Sequence, residues 1–146
     1  MASAFIVLVA ACILTYWFRY TCVLILNTKK SKNYARSVAE ANGLHFLAIR
    51  DQLSAPDARG LQEIHSLLDG DYRVVMYLLQ HASGYASDPQ VFERFMLQMD
   101  YRLLRLWYQL ARGVSQSLTR RSLSERTAVV HYLANAVGER TALSRA

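Results

Sequence analysis

"ASAFIVLVAACILTYWFRYTCVLIL", residues 2–26, decides how this chain is read. It is apolar or small almost throughout and contains one charged side chain, Arg19. At 1.5 Å per helical residue the run reaches roughly 35 Å, against about 30 Å of bilayer hydrocarbon. Helices buried in soluble proteins seldom stay apolar all round for this length, so the run predicts a membrane-spanning helix. The rest of the chain holds the other 16 basic residues and all 11 acidic ones. The sequence therefore divides into an anchor over 1–28 and an extramembrane domain over 29–146.

Arg19 admits two readings at this point. If the hydrocarbon ends near Phe18 to Cys22, the side chain snorkels to lipid phosphates while Tyr16, Trp17, Phe18 and Tyr20 form an interfacial aromatic belt. If the whole run lies in lipid, Arg19 needs an acidic or carbonyl partner on a neighbouring membrane subunit, because the run itself has no Asp or Glu. Lys29, Lys30, Lys32 and Arg36 crowd the C-terminal flank. That bias predicts an N-terminus facing outward and a cytoplasmic domain. A cleaved signal peptide fits poorly, for want of a basic n-region and because the apolar run exceeds a signal core. "VAAC", Val9 to Cys12, has the look of a lipoprotein box, but the apolar run that continues beyond it argues against lipidation.

Cys12 and Cys22 are too far apart on one helix to pair, and no CxxC or CxxCH occurs. The apolar run has no histidine to ligate a haem. It also lacks glycine, so no GxxxG face argues for a homodimer; Ala2, Ser3, Ala4, Ala10 and Ala11 leave one end small enough for close helix approach.

Beyond the anchor the chain reads as helices separated by caps. A short helix fits Lys32 to Asn42 with Gly43 as a left-handed C-cap. "LHFLAIRDQLS" is read as a short helix in preference to a strand, and Pro56 opens the next element. Leu61, Ile64, Leu67 and Leu68 predict a helix stopping at Gly70, with a second helix starting from Asp71 as N-cap and ending near Gly84. Ser87 and Pro89 predict the start of the longest element. There Phe92, Met96, Met99, Leu103, Leu106 and Leu110 recur at helical spacing, flanked by Phe95, Trp107 and Val114, to about Leu118. Ser122 and Glu125 have capping-box spacing before a last helix ending at Gly138. The expectation is an all-α protein: one N-terminal transmembrane helix, then about five helices packed on the long one.

Four histidines, His45, His65, His81 and His131, are scattered without metal-ligand spacing. The densest cluster, Glu63, His65, Asp69 and Asp71, sends Glu63 and His65 to different helix faces. No GxGxxG, Walker loop or GxSxG is present. The expectation is a protein that is not an enzyme and carries no cofactor or metal.

From Arg94 onward nine arginines face three acidic residues, Asp100, Glu125 and Glu139. Arg102, Arg105, Arg112, Arg120 and Arg121 are the candidate partner-binding residues, suited to anionic headgroups or acidic subunits. A helix-turn-helix signature is missing, which argues against nucleic acid. Nine tyrosines add an interface-favouring composition. The function expected is a non-catalytic accessory or scaffold subunit of a larger membrane complex, in contact with lipid and other subunits. The alternative is a membrane-tethered regulator whose basic domain binds nucleic acid or an acidic partner reversibly.

Overall fold

The computed structural model describes residues 1–28, 33–55, 60–82 and 90–145. These form six helices: α1 (Ala2–Asn27), α2 (Ala35–Asn42), α3 (Phe46–Ser54), α4 (Leu61–His81), α5 (Val91–Ala111) and α6 (Gln116–Arg145). There is no strand among the described residues, so the protein is all-helical, with five helices following α1. α1 is long and apolar enough to cross a membrane.

α6, not the Leu-rich α5, is the hub: every other helix packs against it. Its middle, from Val129 to Gly138, is buried on nearly all sides apart from the part-exposed His131. A helix surrounded by neighbours has no polar face to contrast with an apolar one, and this is why its periodicity is weak. Small residues let the neighbours come close. Gly138, expected to stop the helix, lies inside it because a Cβ there would collide with the Tyr34 side chain, whose Cγ lies 3.1 Å away. The Tyr34 N–H donates to Asn135 Oδ1 at 2.6 Å, fixing the start of α2 on the same stretch of α6. At the other end of α2, Gly43 takes the left-handed conformation expected of it, with φ +62°.

Several expected boundaries move. Gly70 and Asp71 do not divide α4, because Ile64, Leu68, Asp71, Val75 and Leu79 form one continuous buried stripe across them. Burying that stripe outweighs the roughly 1 kcal/mol that glycine costs a helix interior. Asp71 is buried in mid-helix and accepts the His45 N–H at 2.6 Å. α5 stops at Ala111 instead of running to Leu118. The Val114 and Ser115 N–H groups both donate to the Ala111 carbonyl, and the chain turns into α6. Ser122 is therefore no cap: buried inside α6, its hydroxyl donates to the Leu104 carbonyl at 2.8 Å. The expected cap and first-turn residues Pro56, Ser87 and Pro89, the expected stop Gly84 and the expected helix start Lys32 lie outside the described residues.

The largest departure is the face that α5 turns inward. Leu97, Asp100, Tyr101, Leu104, Tyr108 and Ala111 are buried, whereas of the expected stripe only Met96 is. Phe92, Phe95, Leu103, Leu106, Trp107 and Leu110 are exposed. The inward face includes polar tips that find partners there: Tyr101 Oη reaches Asp69 at 2.8 Å and Tyr108 Oη reaches Gln62 at 3.2 Å.

The two interior glycines make opposite predictions. Gly138→Ala forces Tyr34 and α2 off α6 and lowers unfolding stability by about 1–3 kcal/mol. Gly70→Ala meets nothing within 4 Å and raises it by about 0.5–1 kcal/mol. Chemical unfolding of the detergent-solubilised chain, followed by circular dichroism, measures both.

Candidate functional site

α1 does not stand clear of the domain. Met1 through Trp17 are exposed, but from Phe18 on the helix packs against the core, with Cys22 fully buried and its Sγ directed at the Met96 carbonyl, 3.9 Å away. One turn earlier, Arg19 puts Nη1 on Asp100 Oδ1 of α5 and Nη2 on Glu125 Oε2 of α6. One turn earlier again, Thr15 shares a groove with Leu103, Trp107 and Leu110. As α1 is followed toward its N-terminus, its neighbours on α5 advance toward the C-terminus, so the two helices run antiparallel.

Both readings of Arg19 from sequence placed its partner outside the chain; the structure supplies the partners from within it. The Asp100 side chain has no exposure, while Arg19 retains 25% and Glu125 27%. Asp100 Oδ2 has no hydrogen-bond partner among the described residues. Burial pushes the Asp100 carboxyl above its ordinary range, and the Arg19 hydrogen bond and charge pull it back. Arg121 completes the group, its Nε 3.2 Å from Glu125 Oε1. A planar guanidinium that donates in two directions is suited to hold two carboxylates on different helices at once. The arrangement is a clamp joining the apolar helix to α5 and α6.

A second buried charge centre lies between α4, α5 and α6. Arg126, fully buried, donates to Asp69 Oδ1 and, at 2.8 Å, to Tyr101 Oη. Its Nη1 lies 2.7 Å from His65 Nδ1. Arginine only donates, so His65 Nδ1 accepts and the ring is neutral with its proton on Nε2, which lies 3.7 Å from Asp69 Oδ2. Aromatic rings enclose the group: His65 stacks on Tyr108 at 4.1 Å, Tyr72 on Tyr101 at 3.8 Å, and the guanidinium lies 4.7 Å from the Tyr101 centroid. Burial, and then the charge of Arg126, hold His65 below the ordinary histidine range; burial and Arg50 do the same to His131.

The residues singled out from sequence fall at two places. Tyr16, Trp17 and Tyr20 are exposed around Arg19, and Lys29 and Lys30 lie outside the described residues. Among the arginines, Arg105 reaches Asp69 Oδ2 at 3.3 Å, Arg112 reaches Gln62 Oε1 at 3.3 Å and Arg121 pairs with Glu125. Arg102 is exposed and Arg120 is half-buried. Sequence reasoning gave Asp100 and Arg126 no role, read Glu125 as a capping-box residue and placed Asp69 beside His65 without their partner Arg126. One signal was available: Asp100 is an acidic residue in a largely apolar and basic helix, a natural complement to a lone arginine in an apolar run. Among the described residues no three His, Cys, Asp or Glu side chains gather as a metal site.

Removing one side of the clamp strands the other. Arg19→Leu leaves the Asp100 carboxylate buried and unpaired, a loss of about 3–5 kcal/mol in unfolding stability. Arg19→Leu with Asp100→Asn loses less than the sum of the single changes, and a double-mutant cycle by chemical unfolding measures the coupling. The depressed histidines carry a pH dependence. The folded state keeps them neutral, so the unfolded chain takes up protons first; stability is full above the ordinary histidine value of about 6.5 and declines as pH falls below it. Thermal melts across that range show the slope, and His65→Gln with His131→Gln flattens it.

The chain matches no protein-family model, no curated protein and no solved structure.

Proposed function

We propose that this protein is a non-catalytic accessory or scaffold subunit of a larger membrane protein complex, anchored by α1 with its N-terminus outside and its helical domain on the cytoplasmic face. The Arg19 clamp is the observation that carries the reading. A flexible tether needs no buried ion pair at its base, whereas a helix clamped to α5 and α6 holds its domain at a set orientation to the bilayer. The same contacts favour retention over cleavage, because Cys22 belongs to the core.

The free part of α1 supports a role among other subunits. Residues 2–17 are all exposed, with Thr15 bordering the groove toward α5. At roughly 24 Å this stretch is a little short of a 30 Å hydrocarbon layer. Local thinning of the bilayer or packing beside longer helices accommodates such a mismatch. The small residues Ala2, Ser3, Ala4, Ala10 and Ala11 permit close approach of a neighbouring helix. The basic residues that follow α1 set the orientation. Arg105, Arg112 and Arg121 are each engaged by their own chain, which weakens the alternative of a reversible nucleic-acid binder.

Extraction of the tagged full-length protein in mild detergent, followed by native electrophoresis and mass spectrometry, tests this. The expected result is one large, stoichiometric assembly that survives high salt. Migration as a lone chain, or release from membranes by alkaline carbonate, rejects it.

A further inference from the structure

From the outward-facing stripe on α5 and its antiparallel run along α1, we infer that the α5–α6 turn and the helix ends flanking it are a second membrane contact, embedded in the lipid interface beside α1. This inference rests on the reading of α1 as a membrane helix. Cys22 meets Met96 and Arg19 meets Asp100, and Thr15 lines the same groove as Leu103 and Trp107. The C-terminal half of α5 therefore points the same way as the N-terminal half of α1. If that half of α1 enters lipid, the α5–α6 turn is directed at the bilayer.

The surface there has the chemistry of an interfacial footprint. Leu103, Leu106, Trp107, Leu110, Val114 and Leu118 are all exposed, Leu110 by 68% and Val114 by 82%. Among the described residues each keeps 38% or more of its surface open, and together they exceed the scattered apolar residues of an ordinary soluble surface. Between α1 and this tip lies an open groove of about 480 Å³ with mainly apolar walls. Charge matches as well. From Tyr101 to Ser124 the chain has five arginines and no acidic residue, and although Arg105, Arg112 and Arg121 also hold Asp69, Gln62 and Glu125, all three stay exposed at the surface. Exposed leucine, valine and tryptophan with arginines beside them is the composition that partitions into the headgroup boundary of anionic membranes, to a depth of roughly 5–10 Å.

The chain has two tryptophans, Trp17 on α1 and Trp107 on the tip, so each can be read alone. Full-length Trp17→Phe protein is reconstituted into phosphatidylcholine–phosphatidylglycerol vesicles with brominated acyl chains. Trp107 emission is expected to be quenched relative to vesicles without bromine and protected from aqueous acrylamide. In the same background, Leu110→Glu lowers the quenched fraction without changing the far-ultraviolet dichroism, because Leu110 is already exposed. Trp107 that is not quenched by bromine overturns the inference, whether acrylamide reaches it, as in a tip held in water, or not, as in a tip covered by protein. The Trp107→Phe protein separates the two readings. Trp17 quenched while Trp107 is not removes the interfacial contact and leaves the anchor; neither quenched removes the anchor as well.

Discussion

A carboxylate with no exposure to water is expensive to bury, and Asp100 is buried because Arg19 meets it there. The pair constrains most of what surrounds it. Asp100 must face α1, which turns the Leu97–Tyr101–Leu104–Tyr108 side of α5 inward and the leucine stripe outward. Glu125 must lie within reach of the same guanidinium, which sets the rotation of α6 about its axis. With α6 so placed, Ser122 meets the Leu104 carbonyl and Arg126 meets Asp69 on α4. One arginine in an apolar helix is thus connected, through α6, to every other helix of the domain.

The two charge centres divide the work of specificity. Apolar contacts alone would allow the helices to slide or rotate, since leucine against leucine is nearly as good one turn along. Buried ion pairs penalise such shifts, because each displaced partner leaves a charge unpaired in a medium that solvates it poorly. The Arg126 group, enclosed by Tyr101, Tyr108 and His65, aligns α4, α5 and α6. The Arg19 clamp aligns α1 with the α5–α6 pair. A domain aligned in this way passes the orientation of α1 to its outer surfaces.

Much of the helical character was legible from sequence because it rests on interactions within a few residues. The length and uniform apolarity of residues 2–26 mark a helix without reference to anything else, and Gly43 ends α2 because only its own backbone needs to turn. The misplaced boundaries were those where a distant residue overrides a local signal. Gly138 resembles a helix stop, but it is required by Tyr34, which packs directly on it. Gly70 resembles another, yet the buried stripe of α4 continues across it. The stripe of α5 was recognised as apolar, but periodicity has no sense of direction: the same spacing of leucines serves a core or an outer surface.

By itself, then, the sequence determined an all-helical chain, a first helix apolar enough for a membrane, and a strongly basic stretch from Arg94 onward. These depend on composition and on spacings of three or four residues. Tertiary structure alone decided what Arg19 does, which side of α5 is buried and which helix forms the centre. The partners of Arg19 lie 81 and 106 residues away. No local rule relates positions so far apart; they come together only when three helices pack, and packing turns on desolvation and pairing of charge, not on the order of residues along the chain.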